Sequence, residues 1–240
     1  MYVWHSPDEL ISCPLCDAAA RKPTLLSGND FDAVFWSDGR RVAPSLPLPT
    51  PVASCHACNR CFWLDDAAVR PDDPDPPLPW WRLVFRPDRR RPLTEWDDAP
   101  EVQEPDEAGY LQALARGWTV GEEQERSLRV LVWWRGNDRF RPDPYGHAPL
   151  DVPAIPDSDA DAAPWLDDAR RANMVALMAL LDQSAEDRLM RTELLRQLDR
   201  QDGAIGVLDT LEADTYPEFV ALLRRLCADT EATIGAIARR

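Results

Sequence analysis

Lysine is almost missing from this 240-residue chain: Lys22 stands alone against 26 arginines. Histidine is scarce too, with only His5, His56 and His147, so the side chain that most often serves as a general base near neutral pH is in short supply. No apolar run approaches the roughly 20 residues that a membrane-spanning helix needs; the longest are Val130 to Trp134 and Met174 to Leu181. The opening residues lack the basic start and the apolar stretch of a signal peptide, and the expectation is a cytoplasmic protein with no membrane contact. A basic segment is lacking as well. Residues 1–70 carry 8 acids and 6 bases, 71–164 carry 20 and 11, and 165–240 carry 14 and 10, for a net charge of −15. A field of that sign repels phosphate backbones and anionic lipid, which argues against nucleic acid as a partner. Arginine in place of lysine, with abundant alanine, aspartate and proline, is the composition of a GC-rich bacterial genome.

What is present is a cluster of cysteine. Five of the six cysteines fall between residues 13 and 61, and in a reducing compartment that pattern points to metal rather than to disulfides. Cys13-Pro-Leu-Cys16 and Cys55-His-Ala-Cys58 are two Cys-x-x-Cys pairs with 38 residues between them. A two-residue spacer lets both thiolates of a pair turn toward one ion, and two pairs complete the tetrahedral sulfur set that zinc favours. The separation exceeds the about 15 to 20 residues of a compact template, and an inserted hairpin accounts for the excess. Cys13, Cys16, Cys55 and Cys58 are therefore the candidate ligands of one structural Zn2+.

Three alternatives compete. A redox dithiol should open a helix, and Cys13-Pro-Leu-Cys16 is followed by Asp17-Ala-Ala-Ala-Arg-Lys22, which can form a helical turn. Cys61, three places past Cys58, can replace Cys55 in a shifted knuckle, against the plainer reading of a small buried residue on the next strand. His56 lies inside the second knuckle and would be needed for an open, catalytic zinc site; four available thiolates favour a closed one.

The pattern resembles the zinc-ribbon family, in which two knuckles face each other across a small antiparallel sheet. A glycine often follows the second cysteine of a knuckle in that family. Asp17 and Asn59 hold those places here, and both tolerate left-handed backbone better than most residues. Ile11-Ser-Cys-Pro-Leu-Cys16, Phe35-Trp-Ser-Asp-Gly39 and Cys58-Asn-Arg-Cys-Phe-Trp-Leu64 make the chain similar to bacterial proteins with a zinc ribbon in front and tetratricopeptide-like helices behind. The segment Glu193 to Ala204 is similar to the join between paired helices in such repeats, although no 34-residue period recurs. The resemblance implies a metal site and no activity, because ribbons serve enzymes, transcription factors and scaffolds alike.

The fold class expected is α+β, a small β zinc ribbon followed by a predominantly helical region of antiparallel helices. Residues 1–70 form the zinc-ribbon domain, with Asp38-Gly39 as a two-residue link between the strands of a tight hairpin. Residues 71–79, rich in proline and aspartate, are a linker. Residues 80–140 are a tryptophan-rich, mostly helical region with helices over 106–116 and 121–136, and residues 141–164, with six prolines, form a loop. Residues 165–240 form an antiparallel helical unit. Its first helix buries Met174, Val175, Leu177, Met178 and Leu181, and its second Leu194, Leu195 and Leu198. Asp202-Gly203 breaks the pattern before a third helix with Ile205, Val207, Leu208 and Leu211. Pro217 opens a fourth, whose face carries Phe219, Leu222, Leu223, Leu226, Thr230, Ile234 and Ile237.

Other features read as structure. Cys227 on the last helix is a core residue, and His5 and His147 are isolated. Six of ten tryptophans lie between Trp80 and Trp134; they can line a groove with Tyr110, but bulk for a small core explains them more simply. Arg89-Arg-Arg91 is offset by Asp88, Glu95, Asp97 and Asp98. Asp72 to Asp75 and Asp157 to Asp161 lack the glycine and distant glutamate of a calcium loop. With no catalytic constellation, the function expected is a non-enzymatic protein-interaction or scaffold module that binds zinc and a protein partner. The other readings are an enzyme with a pocket in the tryptophan-rich region, and a nucleic-acid-associated ribbon, which the charge disfavours.

Overall fold

The computed structural model describes residues 4–27, 33–43, 51–70, 99–141, 166–212, 214–229 and 234–238. Strands β1 (Trp4–Ser12), β2 (Ala19–Ser27), β3 (Val34–Trp36), β4 (Arg41–Val42), β5 (Val52–Ser54), β6 (Cys61–Trp63) and β7 (Ala68–Val69) come first. Helices α1 (Glu107–Ala115), α2 (Gly121–Asn137), α3 (Asp168–Ala179), α4 (Ala185–Gln197), α5 (Gln201–Leu208) and α6 (Pro217–Asp229) follow, and then strand β8 (Ala236–Ala238). The molecule is α+β, with small antiparallel sheets ahead of six packed helices. It divides into two compact units, Met1–Asn29 with Ser45–Pro105, and Asp30–Pro44 with Asp106–Arg240.

In the first unit β1 lies between β2 and β7. Leu10 and Ile11 are buried beside Ala20, and the β1–β2 register shifts between Ser6 and Glu9, where Pro7 has no amide proton for the ladder. β5 and β6 form a separate two-stranded sheet whose buried faces are Val52, Ala53, Cys61 and Phe62. A short extended stretch ties the two sheets together. Val102 donates to the Arg21 carbonyl at 2.9 Å, and the Ser54 amide donates to the Gln103 carbonyl at 2.8 Å. Arg21 adds a side-chain bond, Nε to the Ala99 carbonyl at 2.8 Å.

The second unit owes its helix starts to sequence-local caps. Asp106 accepts from the Gly109 amide, Asp167 from Arg170, and Ser184 from Asp187, each occupying a donor that the first turn leaves unpaired. Helices α1 and α2 thus match the stretches expected from residues 106–116 and 121–136. Trp133, Met174, Leu177, Leu181, Leu194 and Leu198 form a buried cluster, with Leu208, Leu222, Leu223 and Leu226 buried farther along the chain.

Four local expectations are corrected. Val175 is 46% exposed, because it follows Met174 by one position and a 100° step turns it off the buried stripe. The break before α5 is not at Asp202-Gly203, which lie inside that helix. It is at Asp199, which takes φ of 61° while the Arg200 amide reaches back to the Leu195 carbonyl and the Asp199 amide to Arg196, a Schellman ending with aspartate in the glycine position. Leu211 falls beyond α5, which ends at Leu208. The last helix ends at Asp229, so Ile234 and Ile237 are not on it. Ile237 instead pairs with Phe35 in the β4-β3-β8 sheet. Gly235 permits that return: a Cβ there would stand 2.7 Å from Leu222 Cδ1 and 3.0 Å from Leu226 Cδ1.

The hairpin around Asp38-Gly39 is present with a longer link than two residues. The Gly39 amide donates to the Trp36 carbonyl at 2.8 Å, and the Trp36 amide to the Arg40 carbonyl at 2.9 Å. Only Gly39 has positive φ, 79°, so Ser37 to Gly39 form a three-residue loop in which glycine takes the left-handed place. This hairpin groups with the helices rather than with the flanking cysteine segments. The 71–79 stretch, Trp80, Trp81, Trp96, His147 and most of 141–164 lie outside the described residues, while Trp133 sits in the helical core with Nε1 donating to Gln197 Oε1 at 2.7 Å.

Candidate metal centre

The two cysteine pairs sit in turns of the same design. After β1, the Cys13 amide donates to the Ala18 carbonyl and the Asp17 amide to the Cys13 carbonyl, both at 2.9 Å. After β5, the Cys55 amide donates to Arg60 at 3.0 Å and the Asn59 amide to Cys55 at 2.9 Å. Closing such a turn requires left-handed backbone at its fifth residue, and Asp17 and Asn59 take φ of 60° and 52°. They do what glycine does elsewhere in knuckles of this kind.

These turns bring the four sulfurs of Cys13, Cys16, Cys55 and Cys58 within 4.8 Å of one another. Cys16 Sγ and Cys55 Sγ are 3.6 Å apart, far beyond a disulfide bond of about 2.05 Å and close to the edge of about 3.8 Å in a tetrahedron with zinc–sulfur bonds of about 2.3 Å. Cys13 and Cys55 are buried, Cys58 is half-buried and Cys16 is exposed. The donor set therefore fits a metal such as zinc.

Electrostatics point the same way. Burial pushes the Cys13 thiol up to about 12, against the Leu15 and Cys16 amides that donate to it. Burial also opposes ionisation of Cys58, yet the Arg60 amide and the Cys55 thiol outweigh it and bring Cys58 down to about 7. Cys16 is raised: the Ala18 amide favours its thiolate, and burial with the neighbouring Cys55 and Cys58 sulfurs overrides it. The Cys58 thiolate thus forms readily, while Cys13 and Cys16 resist ionisation through burial and the neighbouring sulfurs. A divalent cation removes that resistance.

Residues around the pairs hold the arrangement together. β7 returns after the second knuckle and pairs Ala68 with Ser12, next to Cys13. Arg70 then reaches the first knuckle, with Nε on Ser12 Oγ at 2.5 Å and Nη2 on the Asp17 carbonyl at 2.6 Å. Nothing in the sequence around Arg70 marks this role, since the contact spans 53 residues. Cys61 is buried on β6 opposite Ser54 and stands outside the converging set, as does the exposed His56. The plain reading of Cys61 as a strand residue is the one that fits. Cys227 is buried on α6, where burial raises its thiol.

No other group of three or more histidines, cysteines or acids converges on a common point among the described residues. No helix among them is long and apolar enough to cross a membrane. No family model matches the chain, and none of the curated proteins or solved structures matches it.

Proposed function

We propose that Cys13, Cys16, Cys55 and Cys58 bind one structural zinc ion in a ribbon-like module, and that the chain is a non-enzymatic scaffold for a protein partner. The observation that carries the reading is the mutual approach of four sulfurs, two from each of two matching knuckles. Four thiolates fill a tetrahedral shell and leave no position for substrate or an activated water, which separates structural from catalytic zinc.

The described carboxylates buried away from water support the scaffold reading. Asp38 is held by Asn137 and Arg141, Asp187 by Arg126 and the Asp182 amide, and Glu193 by Arg196, Gln197 and Ser37. Each is committed to a structural bond rather than held in reserve for proton transfer. The charge of −15 favours a protein with a basic face over nucleic acid or an anionic membrane.

Cobalt substitution tests the closed site. The account expects one cobalt per chain with a tetrahedral four-thiolate absorption spectrum that azide and imidazole leave unchanged. A spectrum that responds to either ligand would show an open coordination position and overturn the structural assignment.

A further inference from the structure

A hairpin from the middle of the segment between the two knuckles is part of the helical unit. Residues 33–43 lie between Cys16 and Cys55 in the chain, yet they belong to the compact unit that also contains Asp106–Arg240. Their burial is that of core: Ala33, Trp36, Ser37, Asp38 and Ala43 are all nearly inaccessible. β3 is the central strand of its sheet, flanked by β4 and by β8 near the far end of the chain.

Side chains from several elements hold this hairpin. Ser37 Oγ donates to Glu193 Oε1 of α4 at 2.9 Å and accepts from the Gly235 amide at 3.0 Å. Trp134 Nε1 of α2 donates to the Asp38 carbonyl at 2.9 Å, and Asn137 Nδ2 donates to Asp38 Oδ2 at 2.9 Å. The Arg141 guanidinium binds Asp38 and lies over the Trp36 ring at 5.6 Å. A piece of chain that would be the tip of the ribbon's loop is thus built into a different hydrophobic core.

We infer that metal capture by the four cysteines and seating of the 33–43 hairpin among the helices are thermodynamically coupled, because the hairpin is spliced into the loop that the metal closes. The inference rests on the zinc reading of those cysteines and deepens it into a form of regulation. Pairing of Val34 with Val42 brings the two ends of the insert together, which shortens the chain that must be closed between Cys16 and Cys55. In the other direction, the hairpin is tied to α1 through residues 44–106. In a metal-folded ribbon the Ser54 amide holds the Gln103 carbonyl, a shortcut across that tether, so less chain entropy opposes seating. The probability of closing a loop falls as the 3/2 power of its length, so shortening a tether of about 60 residues to about 20 makes the coupling on the order of 5-fold. By linkage each event favours the other by the same factor.

Hydrogen exchange on the full chain tests this, with zinc bound, after stripping by a mercurial reagent followed by reduction, and after zinc is added back. Metal content is read on the same samples. The result expected is exchange several-fold faster at residues 34–37, 193–197 and 235 in the stripped chain, with recovery on zinc addition. Complete unfolding of the helical unit on stripping supports the coupling in its strongest form. If zinc binds one per chain and protects 13–18 and 55–60 while residues 34–37, 193–197 and 235 exchange equally in both states, the coupling is wrong and the zinc reading stands. A chain that takes up no zinc overturns both.

Discussion

Asp17 and Asn59 occupy the same backbone place in two knuckles that are 42 positions apart in the chain: each has a left-handed φ, and each donates its amide to the carbonyl of the cysteine four residues earlier. The equivalence gives the first prediction. Asn59→Gly keeps the turn and changes stability by no more than about 0.5 kcal/mol, whereas Asn59→Val places a β-branched residue in left-handed backbone at a cost of about 1–2 kcal/mol. Chemical denaturation of zinc-loaded protein, followed together with metal release, checks the contrast.

Substitutions at the cysteines separate the four converging sulfurs from the one nearby. Cys55→Ser and Cys58→Ser should each lower zinc retention under chelator challenge by at least about 10-fold, the scale on which changes around a metal site act. Cys61→Ala should leave the stoichiometry at one, because its sulfur packs on β6 outside the cluster. Loss of zinc in Cys61→Ala with retention in Cys55→Ser would assign the shifted pair instead.

The knuckles were legible because their information is local. Two cysteines three positions apart and a residue tolerant of left-handed backbone are visible without any knowledge of the partner segment. The same holds for the turn at Gly39. What could not be read is where the hairpin goes, since Ser37 and Glu193 are 156 positions apart and neither has a neighbour that announces the other. The end of α6 was misread for a related reason. Ile234 and Ile237 continue a three-to-four-residue spacing that suits a helix, and the strand that Ile237 joins is paired with Phe35, some two hundred positions earlier. Arg70 was invisible because its partners, Ser12 and Asp17, are reached only after the ribbon closes.

The buried ion pair under the hairpin makes a stability prediction. Glu193 and Arg196 are almost fully buried, with Arg196 Nε on Glu193 Oε2 at 2.8 Å and Nη2 on Oε1 at 2.7 Å. Glu193→Ala leaves a guanidinium charge without its carboxylate and should cost about 3–5 kcal/mol. Ser37→Ala removes one hydroxyl that serves two partners and should cost about 1–3 kcal/mol. Urea unfolding followed by far-ultraviolet circular dichroism measures both, and equal effects for the two substitutions would contradict the charge-burial argument.

A surface pair supplies a pH signature. The Tyr216 hydroxyl donates to Glu186 Oε1, which holds the Glu186 carboxyl below its ordinary value and the Tyr216 phenol above its own. The carboxylate's contribution is present above the unfolded carboxyl pKa and fades as pH falls through the lowered folded value. The phenol's contribution is present below the unfolded phenol pKa and fades as pH rises through the raised folded value. The hydrogen bond therefore helps across the neutral range and is lost at both extremes. Both groups are exposed, so the effect on stability is small, and the sensitive readout is nuclear magnetic resonance titration. Tyr216→Phe should return the Glu186 titration to the ordinary glutamate range. An unchanged Glu186 titration in that variant would remove the pair as the cause.

X-ray absorption at the zinc edge, on protein purified without added chelator, tests the central claim most directly. The account predicts one zinc per chain with four sulfur neighbours at about 2.3 Å and no nitrogen or oxygen in the first shell. A shell containing nitrogen or oxygen, or a purified chain without metal in which Cys13, Cys16, Cys55 and Cys58 all react as free thiols, would contradict it.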